Sequence, residues 1–218
     1  MTGPQLSLPK RLAARALHTA LQLTCGGSRL EVHEEAIVAL GWRRFLELSQ
    51  NAFLVLKMLK ERYGEIDAQF IIGIAAMWNG CGYCGYGHAL TGALLTFRDH
   101  GRLHPLDPHV LAELLPLESD DAMVRLAELL ADDRDASLRR LIARMYELRA
   151  GRAVPETTDD HVLDAALQTW TWYVECSIVV GLTIQPEDAF CPGHRVGRDK
   201  ALLARYRHAR ASRAVVAR

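Results

Sequence analysis

Apolar residues recur at helical rather than strand spacing along almost the whole chain. Residues 8–24 place Leu12, Ala16, Ala20 and Leu23 close to one helix face, with Lys10, Arg11 and Arg15 beside them, and Cys25-Gly26-Gly27-Ser28 ends the pattern. A second helix is predicted over 30–48, opened by Glu31, Glu34 and Glu35, whose negative charge suits a helix N-terminus. A third, over 50–63, carries Phe53, Leu54, Leu56, Met58 and Leu59 and stops at Gly64. Asp67 is the expected N-cap of a helix over 68–78 that is apolar on nearly every face and so predicted to be buried. Asn79-Gly80 then breaks the chain before another helix over 81–97.

Residues 99–108 read as a connection, with Pro108 at the first position of a short helix through 115. Amphipathic helices follow over 120–130 and 136–150, the second ended by Gly151. Thr158-Asp159-Asp160 caps the next, whose stretch 162–182 is almost entirely apolar or aromatic, which predicts the core or a subunit interface. No segment alternates with period two around an Asn-Gly turn, so the expected class is all-α. The expected organisation is an N-terminal helical extension (1–45), a single helical domain (46–185) and a basic C-terminal tail (186–218). From Arg195 onward Arg195, Arg198, Lys200, Arg205, Arg207, Arg210, Arg213 and Arg218 face the single acid Asp199. It is read as solvated, partly disordered charge near a chain end rather than a nucleic-acid arm.

Composition narrows the function. A chain of 218 residues can bury a sizeable core. Lys and Arg total 26, as do Asp and Glu, so overall charge favours neither nucleic acid nor an acidic partner. There is no basic start followed by an apolar run, and no run of about 18 uncharged apolar residues, so the expected location is the cytoplasm without membrane contact. Five cysteines, an odd number without an export signal, argue against a disulfide framework. A close pair in that setting points to redox chemistry or metal binding.

That pair lies in Trp78-Asn79-Gly80-Cys81-Gly82-Tyr83-Cys84-Gly85-Tyr86-Gly87-His88. Positions i, i+3 and i+7 share a helix face, so Cys81, Cys84 and His88 are expected along one stripe. A helix N-terminus and a nearby imidazole both favour the thiolate, and a second sulfur three residues away can resolve an oxidised first one as a disulfide. Gly82 and Gly85 leave room for a substrate. The competing reading is a zinc site, in which Cys191 and His194 of Cys191-Pro192-Gly193-His194 join Cys81 and Cys84 as four ligands of a non-enzymatic or redox-sensing protein. Cys25 and Cys176 have no partner pattern and are read as buried spectators. His18, His33, His100, His104, His109, His161 and His208 are read as surface or capping residues.

The string Asn79-Gly80-Cys81-x-x-Cys84-x-x-x-His88, preceded by helices over 46–60 and 70–78, resembles the alkyl hydroperoxidase D branch of the carboxymuconolactone decarboxylase superfamily, over about 45–182. The resemblance implies an all-helical homo-oligomer that reduces peroxides, or disulfides, through a reversible dithiol. It needs no cofactor and is reset by an external dithiol reductant such as a lipoyl or thioredoxin-like protein. It implies Cys84 as nucleophile, Cys81 as resolving sulfur and His88 as part of a proton relay. Two residues depart from the family pattern. Gln69 stands twelve positions before Cys81 where the relay glutamate is usual, and an amide cannot take up a proton near neutral pH. Glu65 and Asp67 are read as out of helical phase with it. Tyr83 stands where some members have a histidine, either hydrogen-bonding a sulfur or peroxide oxygen, or forming a wall.

Overall fold

The computed structural model describes residues 6–216, except for the side chains of Cys25, residues 172–183 and residues 214–216. The readings of Cys25 and Cys176, and of the second half of the long apolar helix, lie outside the described residues. Ten α-helices and no strand make up the rest, so the chain is all-α as its periodicity predicts. They are α1 (Leu8–Cys25), α2 (Leu30–Leu40), α3 (Trp42–Tyr63), α4 (Glu65–Trp78), α5 (Gly82–His100), α6 (Pro108–Leu114), α7 (Ser119–Leu129), α8 (Ala136–Arg149), α9 (Thr158–Thr183) and α10 (Lys200–Val216).

Two helix boundaries and the form of the C-terminal tail differ from expectation. The break placed near 48–50 falls at Gly41, whose φ of 75° is open to glycine and costly for other residues. Beyond it Phe45, Leu48, Ala52, Val55 and Leu59 form one uninterrupted buried stripe, so nothing stops α3 before Gly64. Asp67 lies within the first turn of α4, which begins from Gly64, rather than at its N-cap. The basic tail is largely the helix α10, which buries Leu202 and Tyr206, sets Tyr206 edge-on to Phe97 and ties Arg210 to Asp107.

The ten consecutive residues Ala68 to Met77 of α4 are all buried, as a helix without a polar face must be. Phe70, Ile71, Ile72 and Ile74 each contribute about 2 kcal/mol relative to exposure. α4 packs closest on α5. A Cβ at Gly73 would stand 3.3 Å from the Gly85 carbonyl oxygen and one at Gly85 3.4 Å from the Gly73 carbonyl oxygen, so two glycines let the backbones meet. A second, smaller core joins Ala14 of α1, Ala36 and Ile37 of α2, and Phe45 and Leu48 of α3. Among the described residues no helix is long and apolar enough to cross a membrane.

Candidate functional site

Asn79-Gly80 ends α4 and turns the chain so that the Cys81 N–H still donates to the Ala76 carbonyl at 2.9 Å. Cys81 is therefore the N-cap of α5. Its sulfur accepts from the Cys84 N–H at 3.5 Å, doing for the helix what a serine oxygen usually does. Both thiols are reduced and buried. The hydrogen bond from the Cys84 thiol, with the Cys84 and Tyr83 N–H groups, moves Cys81 below the ordinary thiol range. Cys84 is pushed the other way because it donates to Cys81 and is buried. Of the two sulfurs, Cys81 is therefore the one on which negative charge is favoured. The spacing argument anticipates a favoured thiolate but not which sulfur carries it.

His88 lies on the next turns of α5 and is also buried. Its Nδ1 is 2.7 Å from Gln69 Oε1 across the glycine contact between α4 and α5. An amide oxygen only accepts, so Nδ1 carries the hydrogen and Nε2 is left as an acceptor. Burial, then the charges of Lys60 and His194, lower His88 to about 3, leaving it neutral at ordinary pH. Gln69 is fully buried and its Nε2 has no partner among the described residues. Glu65 stands one turn before Gln69 on the same side of α4, not out of phase with it. Its carboxylate goes to Lys60 at 2.9 Å and to His194 at 3.0 Å.

Tyr83 lies near enough to Cys84 and Cys81 to feel their charge. Its ring packs edge-on to Phe190, and its hydroxyl faces the Ser28 side chain and the Arg29 backbone N–H in the α1–α2 connection. Ser28 Oγ is 2.7 Å from His33 Nε2. Burial raises the phenol well above its ordinary range, so it stays protonated. His33 and His104 are buried rather than at the surface. His33 packs edge-on to Phe45, and His104 stacks on Phe70 with ring centroids 4.0 Å apart.

Cys84, His88 and Tyr83 line a cavity of about 310 Å³. Its other walls come from α1 (Leu17, Leu21), α2 (Val32, His33, Ala36), α3 from Phe45 to Leu56, Trp170 of α9 and the segment 190–193. Cys81 is not a wall residue, so a molecule in the cavity meets Cys84 first. The cavity lies along the seam between the two cores. The walls from α1 and α2 carry no motif, and Cys191-Pro192-Gly193-His194, singled out above as half of a zinc site, instead brings Pro192 and Gly193 to the cavity wall.

The four zinc candidates do not assemble. His194 commits Nε2 to Glu65 and accepts at Nδ1 from the Val196 N–H at 3.0 Å. Among the described residues no group of three or more His, Cys, Asp or Glu side chains is placed to hold a metal ion. No protein-family model, curated protein or solved structure matches this chain.

Proposed function

We propose that the chain is a thiol oxidoreductase that reduces peroxides, or small disulfides, through Cys81 and Cys84, as alkyl hydroperoxidase D-like proteins do. The observation that carries this reading is the placement of Cys84 and His88 together on the wall of an apolar cavity, with Cys81 hydrogen-bonded behind Cys84. Cys84 passes its proton to the Cys81 sulfur and attacks the distal oxygen of a hydroperoxide. The O–O bond breaks and Cys84 becomes a sulfenic acid. The departing alkoxide takes the proton back from Cys81, with neutral His88 Nε2 as the relay between them. Cys81 thiolate then displaces hydroxide from Cys84, one proton from solvent completes water, and the disulfide is closed. An external dithiol of the lipoyl or thioredoxin-like type resets it, and the working form is a homo-oligomer.

The test is intact-mass measurement and thiol titration after substoichiometric hydroperoxide. The expected result is loss of the mass of two hydrogens and of both thiols of the pair. Cys84→Ser is expected to abolish turnover with a dithiol reductant; full turnover in that variant overturns the proposal.

A further inference from the structure

Residues 189–194 run between two short 3-10 turns, Pro186–Asp188 and Arg195–Arg198, and give the thiol cavity Phe190, Pro192 and Gly193 as one wall. Two of the surfaces beneath them are glycines. On α5 a Cβ at Gly87 would stand 2.7 Å from Pro192 Cδ and Cγ and 2.8 Å from the Phe190 carbonyl oxygen. In the α1–α2 connection a Cβ at Gly27 would overlap the Phe190 side chain. A glycine inside a helix costs about 1 kcal/mol against alanine. Gly87 is such a residue, and its φ is not in the left-handed region, so the backbone of α5 does not call for it. The segment lying on it does.

Polar ties hold the segment at both ends. His194 Nδ1 accepts from the Val196 N–H at 3.0 Å, so Nε2 carries the hydrogen and donates to Glu65 Oε1 at 3.0 Å. Lys60 Nζ meets the same oxygen at 2.9 Å. Before the segment, Asp188 pairs with Arg29 at the head of α2 at 3.2 Å. Phe190 packs edge-on to Tyr83, with ring centroids 5.1 Å apart. Residues 189–194 are thus fastened to α4, α5 and the α1–α2 connection at once, across the seam in which the cavity lies. Gly87 stands one turn after Cys84 and next to His88, so a change at that contact is felt at the reactive end of the cavity.

We propose that residues 189–194 form a strap that sets the width of the thiol cavity, with Gly87 as its seat and the His194–Glu65 pair as its tie. Gly87 and His194 then determine which molecules reach Cys84. Those admitted are slender and uncharged. Among the described residues no Lys, Arg, Asp or Glu lines the cavity, so an ion would lose its water without gaining a counter-charge. A broad molecule enters only if the strap leaves α5. That the strap selects substrates rests on the thiol reading above; its seat and its tie do not.

Gly87→Ala tests the seat. Alanine suits the helix, but it meets a proline ring and a backbone oxygen that cannot swing aside, so the strap must lift. Access is read by alkylating the reduced protein with substoichiometric N-methylmaleimide or N-(1-adamantyl)maleimide, which share a reactive group and differ in width. Peptide mass identifies the labelled cysteine. In the wild type the methyl reagent is expected to be favoured at Cys84 about tenfold more strongly than at glutathione, the scale of a small misfit in an apolar pocket. In Gly87→Ala the preference is expected to fall to within about twofold of the glutathione value, with Cys84 labelled ahead of Cys81, which is not a wall residue. His194→Ala, which removes the tie and leaves the seat, is expected to lower it about threefold, the scale of one hydrogen bond. A wild-type preference no greater than that of glutathione, or an unchanged preference in folded Gly87→Ala, overturns the strap. So does a lost preference with Cys81 labelled as fast as Cys84, the mark of unfolding rather than of a wider cavity. If Gly87→Ala does not fold, His194→Ala decides, and an unchanged preference there overturns the proposal. Separately, oxidation by cumene hydroperoxide relative to hydrogen peroxide is expected to rise in Gly87→Ala. An unchanged ratio in a variant whose alkylation has changed removes the selection of substrates by the strap. Failure of every hydroperoxide and disulfide to oxidise the thiols removes the thiol reading, while alkylation still decides the strap.

Discussion

The two cores of the molecule are built on different principles. The large one is centred on α4 and α5, where ten consecutive buried residues of one helix meet a second helix through paired glycines. The small one joins α1, α2 and the start of α3 through five buried residues, while Leu8, Leu12 and Leu23 of α1 remain more than half exposed. The large core places the sulfurs and His88 by helix register and backbone contact. The small one supplies walls. On the proposed function, chemistry falls to the strongly packed half, and access and selection to the half with less apolar burial and therefore less local stability.

Acidity offers the largest perturbation of that contrast, because each side holds one buried neutral imidazole. His88 belongs to the large core at about 3, and His33 to the cover at about 4, both below the 6.5 of an unfolded histidine. A histidine lowered on folding binds fewer protons in the native state. Its stability contribution is thus intact above about pH 6.5 and lost as pH falls toward the folded value. At pH 5 the loss is about 2 kcal/mol for each site, or about 4 kcal/mol for both. Urea unfolding at pH 7 and pH 5 checks this, and hydrogen exchange divides it: α1 and α2 are expected to lose protection at higher pH than α4 and α5. Equal stability at the two pH values breaks the account of both histidines.

A smaller effect is expected from Gly73→Val, which acts on the large core alone. The added side chain meets the Gly85 carbonyl and the Ala89 N–H, backbone atoms that can yield only if the helices part. The cost is about 3 kcal/mol in urea unfolding, and the Gln69–His88 hydrogen bond is expected to be lost as the helices separate. A cost under about 0.5 kcal/mol, the range of an ordinary surface change, would mean that the glycine contact does not hold α4 against α5.

The same contrast explains what could be read from the chain. The all-α class, the buried α4 and the dithiol at the head of α5 follow from spacing over a few turns, where periodicity and capping act locally. Gly41 outweighed the polar stretch Ser49-Gln50-Asn51 as a breaker, because the apolar stripe of α3 runs straight through the latter. His33, the packing of residues 190–193 on α5 and the docking of α10 depend on contacts between segments far apart in sequence, for which no local pattern exists. Glu65 is a different case: four residues from Gln69 puts it on the same side of α4, and simple helix arithmetic suffices to see it. What the arithmetic cannot supply is that Lys60 and His194 hold its carboxylate at the surface.

The finest test concerns the Gln69–His88 contact, which crosses the α4–α5 interface at the site. In Gln69→Glu a carboxylate replaces an amide with an unpartnered buried nitrogen, next to an imidazole that burial keeps neutral. A carboxylate 2.7 Å from Nδ1 favours the imidazolium, so the His88 titration is expected to move upward from about 3. A proton then becomes easier to hold between Cys84 and the departing oxygen, and oxidation of the pair is expected to quicken about tenfold, a change near 1.4 kcal/mol. Burying the new charge works against folding, so the faster variant is also expected to be the less stable one. NMR titration of His88 and stopped-flow oxidation by hydroperoxide read the two effects separately. A raised His88 titration without faster oxidation would take the imidazole out of the rate-limiting proton transfer, leaving Gln69 with the structural task of fixing the His88 ring against α4.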